Sequence, residues 1–169
     1  MQDIDVKMNV DVLIIGAGPS GIGAAAHISM QCPDKTYCIV EQRQNIGGTW
    51  DLFRYPGIRS DSDMHTFGYR FKPWLHKKAI ADGPLIKAYL LDTVKEYGID
   101  KHIRFGYKVL CADWSSTSAN WTITACNEVD GEIRQFKANF LFMCSGYYNY
   151  AKGYTPAFKN EEKLSLIHI

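Results

Sequence analysis

The run Val10-Asp11-Val12-Leu13-Ile14-Ile15 is almost wholly apolar and stops at a glycine, the pattern of a parallel strand buried on both faces. Gly16-Ala17-Gly18-Pro19-Ser20-Gly21 follows at once, and Ile22 to Met30 is then rich in small residues, Gly23, Ala24, Ala25 and Ala26 among them. That composition predicts a helix packed closely on a sheet. Thr36-Tyr37-Cys38-Ile39-Val40-Glu41 predicts a second strand, so strand, glycine turn, helix and strand make one βαβ unit.

Residues 42 to 80 show no sustained period and hold Gly47, Gly48, Pro56, Gly57 and Pro73, which predicts a long functional loop. Asp82-Gly83-Pro84 opens a helix, with Leu85, Tyr89, Leu90, Val94 and Tyr97 on one apolar face and Gly98 at its end. Three further strands are predicted at about 103–114, 120–126 and 134–143. The polar runs Ser115 to Asn120 and Asn127 to Gly131 supply the turns between them. They form an antiparallel β-meander whose last run, Phe140 to Cys144, is apolar enough to re-enter a buried sheet. The fold class expected is α/β, a Rossmann-like domain with a meander.

At 169 residues the chain has the length of one domain. Hydrophobic residues at 46% and charged ones at 22% exclude a disordered tail, a coiled coil and a collagen-like fibre. A net charge of +1 calls for neither nucleic acid nor an anionic membrane as partner. No apolar run approaches the roughly 18–20 residues of a membrane span. Five cysteines, with no CxxC, suggest neither a disulfide framework nor a zinc site, and among the histidines His27, His65, His76 and His102 show no metal spacing. With no signal-peptide pattern at the N-terminus, these features read as cytoplasmic. The final Leu164-Ser165-Leu166-Ile167-His168-Ile169 reads as a translated sequencing adapter, which leaves residues 1–163 as the domain.

The glycine turn carries the chemistry. Gly16 allows the tight strand-to-helix turn, Gly18 lets a pyrophosphate approach the backbone, and Gly21 permits close helix–strand packing. The helix N-terminus offers free N–H groups to the phosphates, and Ser20 adds a hydroxyl. Glu41 ends the second strand about 20 residues on, where a carboxylate accepts hydrogen bonds from a ribose and repels a 2′-phosphate. This first site is therefore expected to hold FAD or NAD. The pair Gly47-Gly48 followed by Thr49, Trp50, Asp51 and Leu52 fits a backbone running beside an extended cofactor.

The stretch Gly47-Gly-Thr-Trp-Asp-Leu-Phe-Arg-Tyr-Pro-Gly-Ile-Arg-Ser-Asp-Ser-Asp-Met64 resembles class B flavoprotein monooxygenases of the Baeyer–Villiger type. The likeness continues through Tyr69 to Trp74, Ile80 to Gly83, Tyr97 to Asp100 and Phe142 to Tyr150, and covers nearly all of residues 9–160. It implies an FAD-binding domain of the glutathione-reductase type, interrupted by an NADPH domain, with small-molecule substrate and O2 meeting between them. In such enzymes a C4a-peroxyflavin oxidises ketones to esters or lactones, or oxygenates sulfur or nitrogen. The resemblance assigns FAD contacts to Ser20, Glu41, Thr49, Trp50, Asp51, Leu52 and the backbone of Val109. It places Arg59, Ser60 and Asp61 at the FAD–NADP junction, with Asp61 orienting an arginine on the catalytic side that is expected beyond residue 169.

The sequence departs from the family pattern at its end. The Phe-x-Gly-x-x-x-His-x-x-x-Trp fingerprint is not completed after Phe158, and no second glycine-rich turn follows for NADPH. The expectation is thus the N-terminal FAD-binding portion of a flavin monooxygenase, truncated before the NADPH domain and inactive by itself. The alternatives are an N- or S-oxygenating flavin monooxygenase, an FAD-dependent reductase, or a non-catalytic FAD-binding fragment.

Overall fold

The computed structural model describes residues 6–160, so the tail at 164–169 lies outside the described residues. The elements are β1 (Val6–Ile15), α1 (Pro19–Gln31), β2 (Tyr37–Glu41), α2 (Thr49–Leu52), α3 (Met64–Phe67), α4 (Gly83–Glu96), β3 (Ile103–Phe105), β4 (Tyr107–Ser115), β5 (Asn120–Asn127) and β6 (Ile133–Met143). A single six-stranded sheet runs in the order β3-β2-β1-β6-β5-β4. β1 pairs in parallel with β2 on one side and β6 on the other, β3 extends the parallel edge, and β4-β5-β6 form the antiparallel meander.

Alternation along β1 and β2 divides the interior in two. Ile14, Tyr37 and Ile39 face α1 and α4, where Ile22, Ala25, Ala26, Ile86, Leu90 and Val94 cover them. Leu13, Ile15, Cys38 and Val40 face the other way, onto Tyr107, Ile123, Ala125, Phe136 and Ala138 of the meander. Burial on both faces is why these strands read as unbroken apolar runs. β6 belongs to both parts of the sheet: Ile133 to Ala138 pair with β5, and Gln135 to Met143 pair with β1 along its other edge.

The expected βαβ unit, the α4 helix and the meander are all present. α4 is capped by the Asp82 side chain, which accepts from Leu85 N–H at 3.3 Å, and Gly98 takes the left-handed conformation just beyond it. Its buried face includes Ile86 and Thr93, while Leu85, Tyr89 and Tyr97 lie at the margin. The strand expected over 103–114 is two strands. Gly106, at φ +78°, turns the chain from the parallel edge into the meander, so β3 pairs with β2 and β4 pairs with β5. The loop over 42–80 contains the short helices α2 and α3.

Phe136 is fully buried between the two parts of the sheet and meets Tyr107 edge-on at 5.3 Å. Phe136→Ala should destabilise the fold by about 3–5 kcal/mol. Urea denaturation checks this, and a loss below about 1 kcal/mol would show that the meander does not pack on β1 and β2.

Candidate functional site

The chain turns away at the carboxyl end of β1, with β2 and β6 on opposite sides, which is the switch point where open α/β sheets bind ligands. Backbone crowding shapes the turn. A Cβ at Gly16 would come within 2.5 Å of the Cys144 carbonyl oxygen, and one at Gly21 within 1.9 Å of the Gly16 carbonyl oxygen. Gly16 N–H donates to Val40, and Cys144 N–H donates to Ile15, each at 2.8 Å, which locks the turn between its neighbours.

Gly18 is different. The only atom within 4 Å of a Cβ placed there is the Gly48 Cα, at 3.8 Å. The space in front of Gly18 is a cradle that a side chain would fill, beside the first-turn N–H groups of α1, which have no intrahelical acceptors. Among the described residues no acidic side chain lies in that turn and no side chain caps it. Ser20 is exposed at the same point.

Glu41 closes the other side. Its carboxylate, on a residue only 8% exposed, accepts from Ala17 N–H at 2.7 Å through Oε2 and from Arg43 N–H at 2.9 Å through Oε1. Two main-chain donors thus orient it while each oxygen keeps acceptor capacity. That arrangement fits a ribose diol. Gly47 N–H donates to the Ala17 carbonyl at 2.9 Å, and Gly48, at φ +53°, brings its Cα over Gly18. The residues present therefore fit an adenine dinucleotide.

The remaining expected residues divide into two groups. Thr49 is half-buried, with its hydroxyl 3.2 Å from that of Tyr150, which also meets Phe53 edge-on. Trp50 packs against the helical core and lies edge-on to Phe67, and Leu52 is half-buried on the same short helix. Val109 packs into the sheet–meander core at a β-bulge, on the strand that starts where Gly106 N–H reaches the Arg43 carbonyl. Ser60 is buried and pinned to Ala81, donating its N–H at 2.8 Å and accepting from Ala81 N–H through its hydroxyl at 3.1 Å. Arg59 and Asp61 flank it and are exposed. The Tyr148 phenol is held above its ordinary value, chiefly by its hydrogen bond with Tyr147, with the Asp61 charge among the lesser causes.

Asp51 has a role that its position in the motif did not disclose. Its side chain is fully buried and lies 2.5 Å from both the Arg43 guanidinium and the Lys87 ammonium, with Arg54 at 3.8 Å. Burial alone would raise its pKa, but hydrogen bonds from Lys87 and Arg43 outweigh that and hold the carboxyl below the usual aspartate range. Arg43 is also the residue whose N–H orients Glu41, so one buried carboxylate joins the Glu41 corner, α2 and α4. Arg43, Lys87 and Tyr150 were not singled out from sequence. Lys87, a cation within the apolar pattern of α4, was the available signal.

A glycine turn at a sheet's switch point, an oriented acidic residue and a helix N-terminus define a Rossmann-like dinucleotide-binding unit. Residues 14–77 match the family described as an NAD(P)-binding Rossmann-like domain. The chain is homologous to FAD-containing monooxygenases: it is 57% identical over 160 residues to FAD-containing monooxygenase EthA of Mycolicibacterium smegmatis, covering 94% of this chain and 32% of that protein. Among solved structures it superposes on an oxidized steroid monooxygenase bound to NADP with a TM-score of 0.75 and 28% identity, over 91% of this chain and 29% of that one. A cyclohexanone monooxygenase from Rhodococcus sp. Phi1 bound to NADP+ gives a TM-score of 0.70 at 28% identity, over 82% and 26%. The chain spans about a third of the length of the relatives it matches.

Asp51→Asn leaves the half-buried Arg43 and Lys87 without their counter-charge and should cost about 1–3 kcal/mol of stability. Because the folded-state pKa of Asp51 is depressed, its contribution is complete above about pH 5 and is lost as pH falls through the ordinary aspartate value and below. Denaturation midpoints measured from pH 7 down to pH 3 should therefore fall more steeply in the wild type than in Asp51→Asn. Parallel curves would contradict the ion-pair account.

Proposed function

We propose that this chain forms the N-terminal FAD-binding portion, residues 1–163, of an NADPH- and O2-dependent flavin monooxygenase that oxidises ketones in a Baeyer–Villiger reaction or oxygenates sulfur compounds. The observation that carries the reading is the Glu41 carboxylate, oriented by Ala17 and Arg43 N–H groups at the rim of the glycine cradle. It favours an unphosphorylated ribose, and the 47–51 segment laid across Gly18 favours an extended flavin dinucleotide over NAD.

Bound FAD would supply the two-electron chemistry through which NADPH and O2 oxidise the substrate. The residues of this chain bind and orient. The first turn of α1 receives the pyrophosphate on its N–H groups, aided by the Ser20 hydroxyl. Glu41 accepts the ribose hydroxyls, and the β4 backbone near Val109 borders the adenine. Thr49 and Trp50 line the path toward the flavin ring, with Leu52 beside them. Arg59, Ser60 and Asp61 stand at the junction with NADPH, where the exposed Asp61 carboxylate orients an arginine contributed by another part of the enzyme. Ser60 fixes that loop against the residues preceding α4.

The substrate is a small molecule, with no nucleic acid partner. Among the described residues no helix is long and apolar enough to cross a membrane. All five cysteines are unpaired thiols, which supports a reducing, cytoplasmic setting.

Flavin content of the full chain tests the assignment. Glu41→Arg should lose most of its FAD, and unchanged loading would sink it. Asp61→Ala should keep FAD while slowing substrate oxidation by about 10- to 100-fold through misplacement of the arginine. Parallel loss of flavin would make Asp61 a structural residue instead.

A further inference from the structure

The run Tyr69-Arg70-Phe71-Lys72-Pro73-Trp74 lies against the helical core formed by α1 and α4. Its rings pack inward. Tyr69 stacks on Phe71 with centroids 4.8 Å and planes 9° apart, and on Tyr89 of α4 at 5.7 Å. The Tyr69 hydroxyl donates to the main-chain carbonyl of Pro19 at 2.5 Å. Pro19 is the first residue of α1, directly after Gly18. The same ring lies against Gly23, where a Cβ would come within 3.0 Å of Tyr69 Cε1.

Tyr69 is in turn held from α4. Its main-chain N–H donates to the Tyr89 hydroxyl at 2.8 Å, and that hydroxyl donates to the Lys72 carbonyl at 2.6 Å. The Lys72 ammonium is tied to Asp92, at 2.8 Å, and to Glu96, both on α4. Burial raises the Tyr69 phenol well above its ordinary value, so the hydroxyl remains a donor at neutral pH.

The Pro19 carbonyl shares one rigid peptide plane with the Ser20 N–H. A hydrogen bond that fixes the carbonyl oxygen therefore fixes the direction of that N–H on the opposite side of the plane, and polarises it. Ser20 N–H is one of the first-turn donors facing the cradle. We propose that Tyr69 is a positioning residue for the dinucleotide phosphates, a strut from α4 that aims the first-turn N–H groups of α1. The proposal rests on the cofactor reading above.

Tyr69→Phe in the full chain keeps the ring contacts and removes only the hydroxyl. FAD, ADP and adenosine are titrated into wild type and variant, with FAD fluorescence as readout and the other two as competitors. Dissociation constants for FAD and ADP should rise together by about three- to tenfold, while that of adenosine, which has no phosphate, stays unchanged. Unfolding of the ligand-free variant should remain cooperative and lose no more than one hydrogen bond's worth of stability, so that the fold is saturated at the titration temperature. Unchanged FAD and ADP binding overturns the assignment, and so does equal weakening of adenosine, which would mark general loosening. If the wild type binds all three and only the variant result fails, the cofactor reading survives. A wild type that binds neither FAD nor ADP overturns that reading and this assignment with it.

Discussion

Backbone meets backbone at Gly16 and Gly21 with no room for a methyl group, and the rest of the molecule is arranged around that contact. The Cys144 carbonyl closes on Gly16 from β6, and the Gly16 carbonyl closes on Gly21 from β1. Only with both contacts made can α1 start directly over the end of β1, pointing its free N–H groups into the crevice between β2 and β6. Gly18 has no such crowding, and its missing side chain leaves open space in front of the helix. Three glycines in one motif therefore stand in two different surroundings, close packing at the ends and open space in the middle.

Around this turn, one carboxylate is left with acceptor capacity and another is sealed. Glu41 is oriented by main-chain N–H groups and keeps free lone pairs at the rim. Asp51, ten residues later in the chain, is sealed from solvent and saturated by Arg43 and Lys87. Arg43 touches both systems, through its main chain at Glu41 and its guanidinium at Asp51. The Glu41 corner is thus anchored to α4 by an ion pair in a poorly solvated site, where removing one partner is costlier than at a surface.

Much of this was legible from residue order. The apolar run before Gly16, the small residues after it and Glu41 at the end of β2 disclose a dinucleotide unit, because periodicity and glycine spacing are local properties. The Asp82 cap and Gly98 marked α4 for the same reason. The division at Gly106 was hidden, since β3 and β4 are both strands and only their partners differ. Asp51, Tyr69 and Ser60 were visible as motif members, yet their partners Lys87, Pro19 and Ala81 are distant in sequence and set by packing. Residue order discloses which side chains gather at the crevice better than the partners each one holds.

The position of β6 also governs when the fold can form. β1 is the central strand, yet one of its two edges is filled only by the last described strand, with Val12 opposite Phe140 and Ile15 opposite Met143. During synthesis the glycine turn, α1 and β2 emerge long before Cys144 arrives to close on Gly16. Until then the apolar edge of β1 is exposed, and pairing it requires closing a loop that spans most of the chain. The glycine turn is therefore encoded early but completed late, when the last described strand pairs with β1 and closes on Gly16.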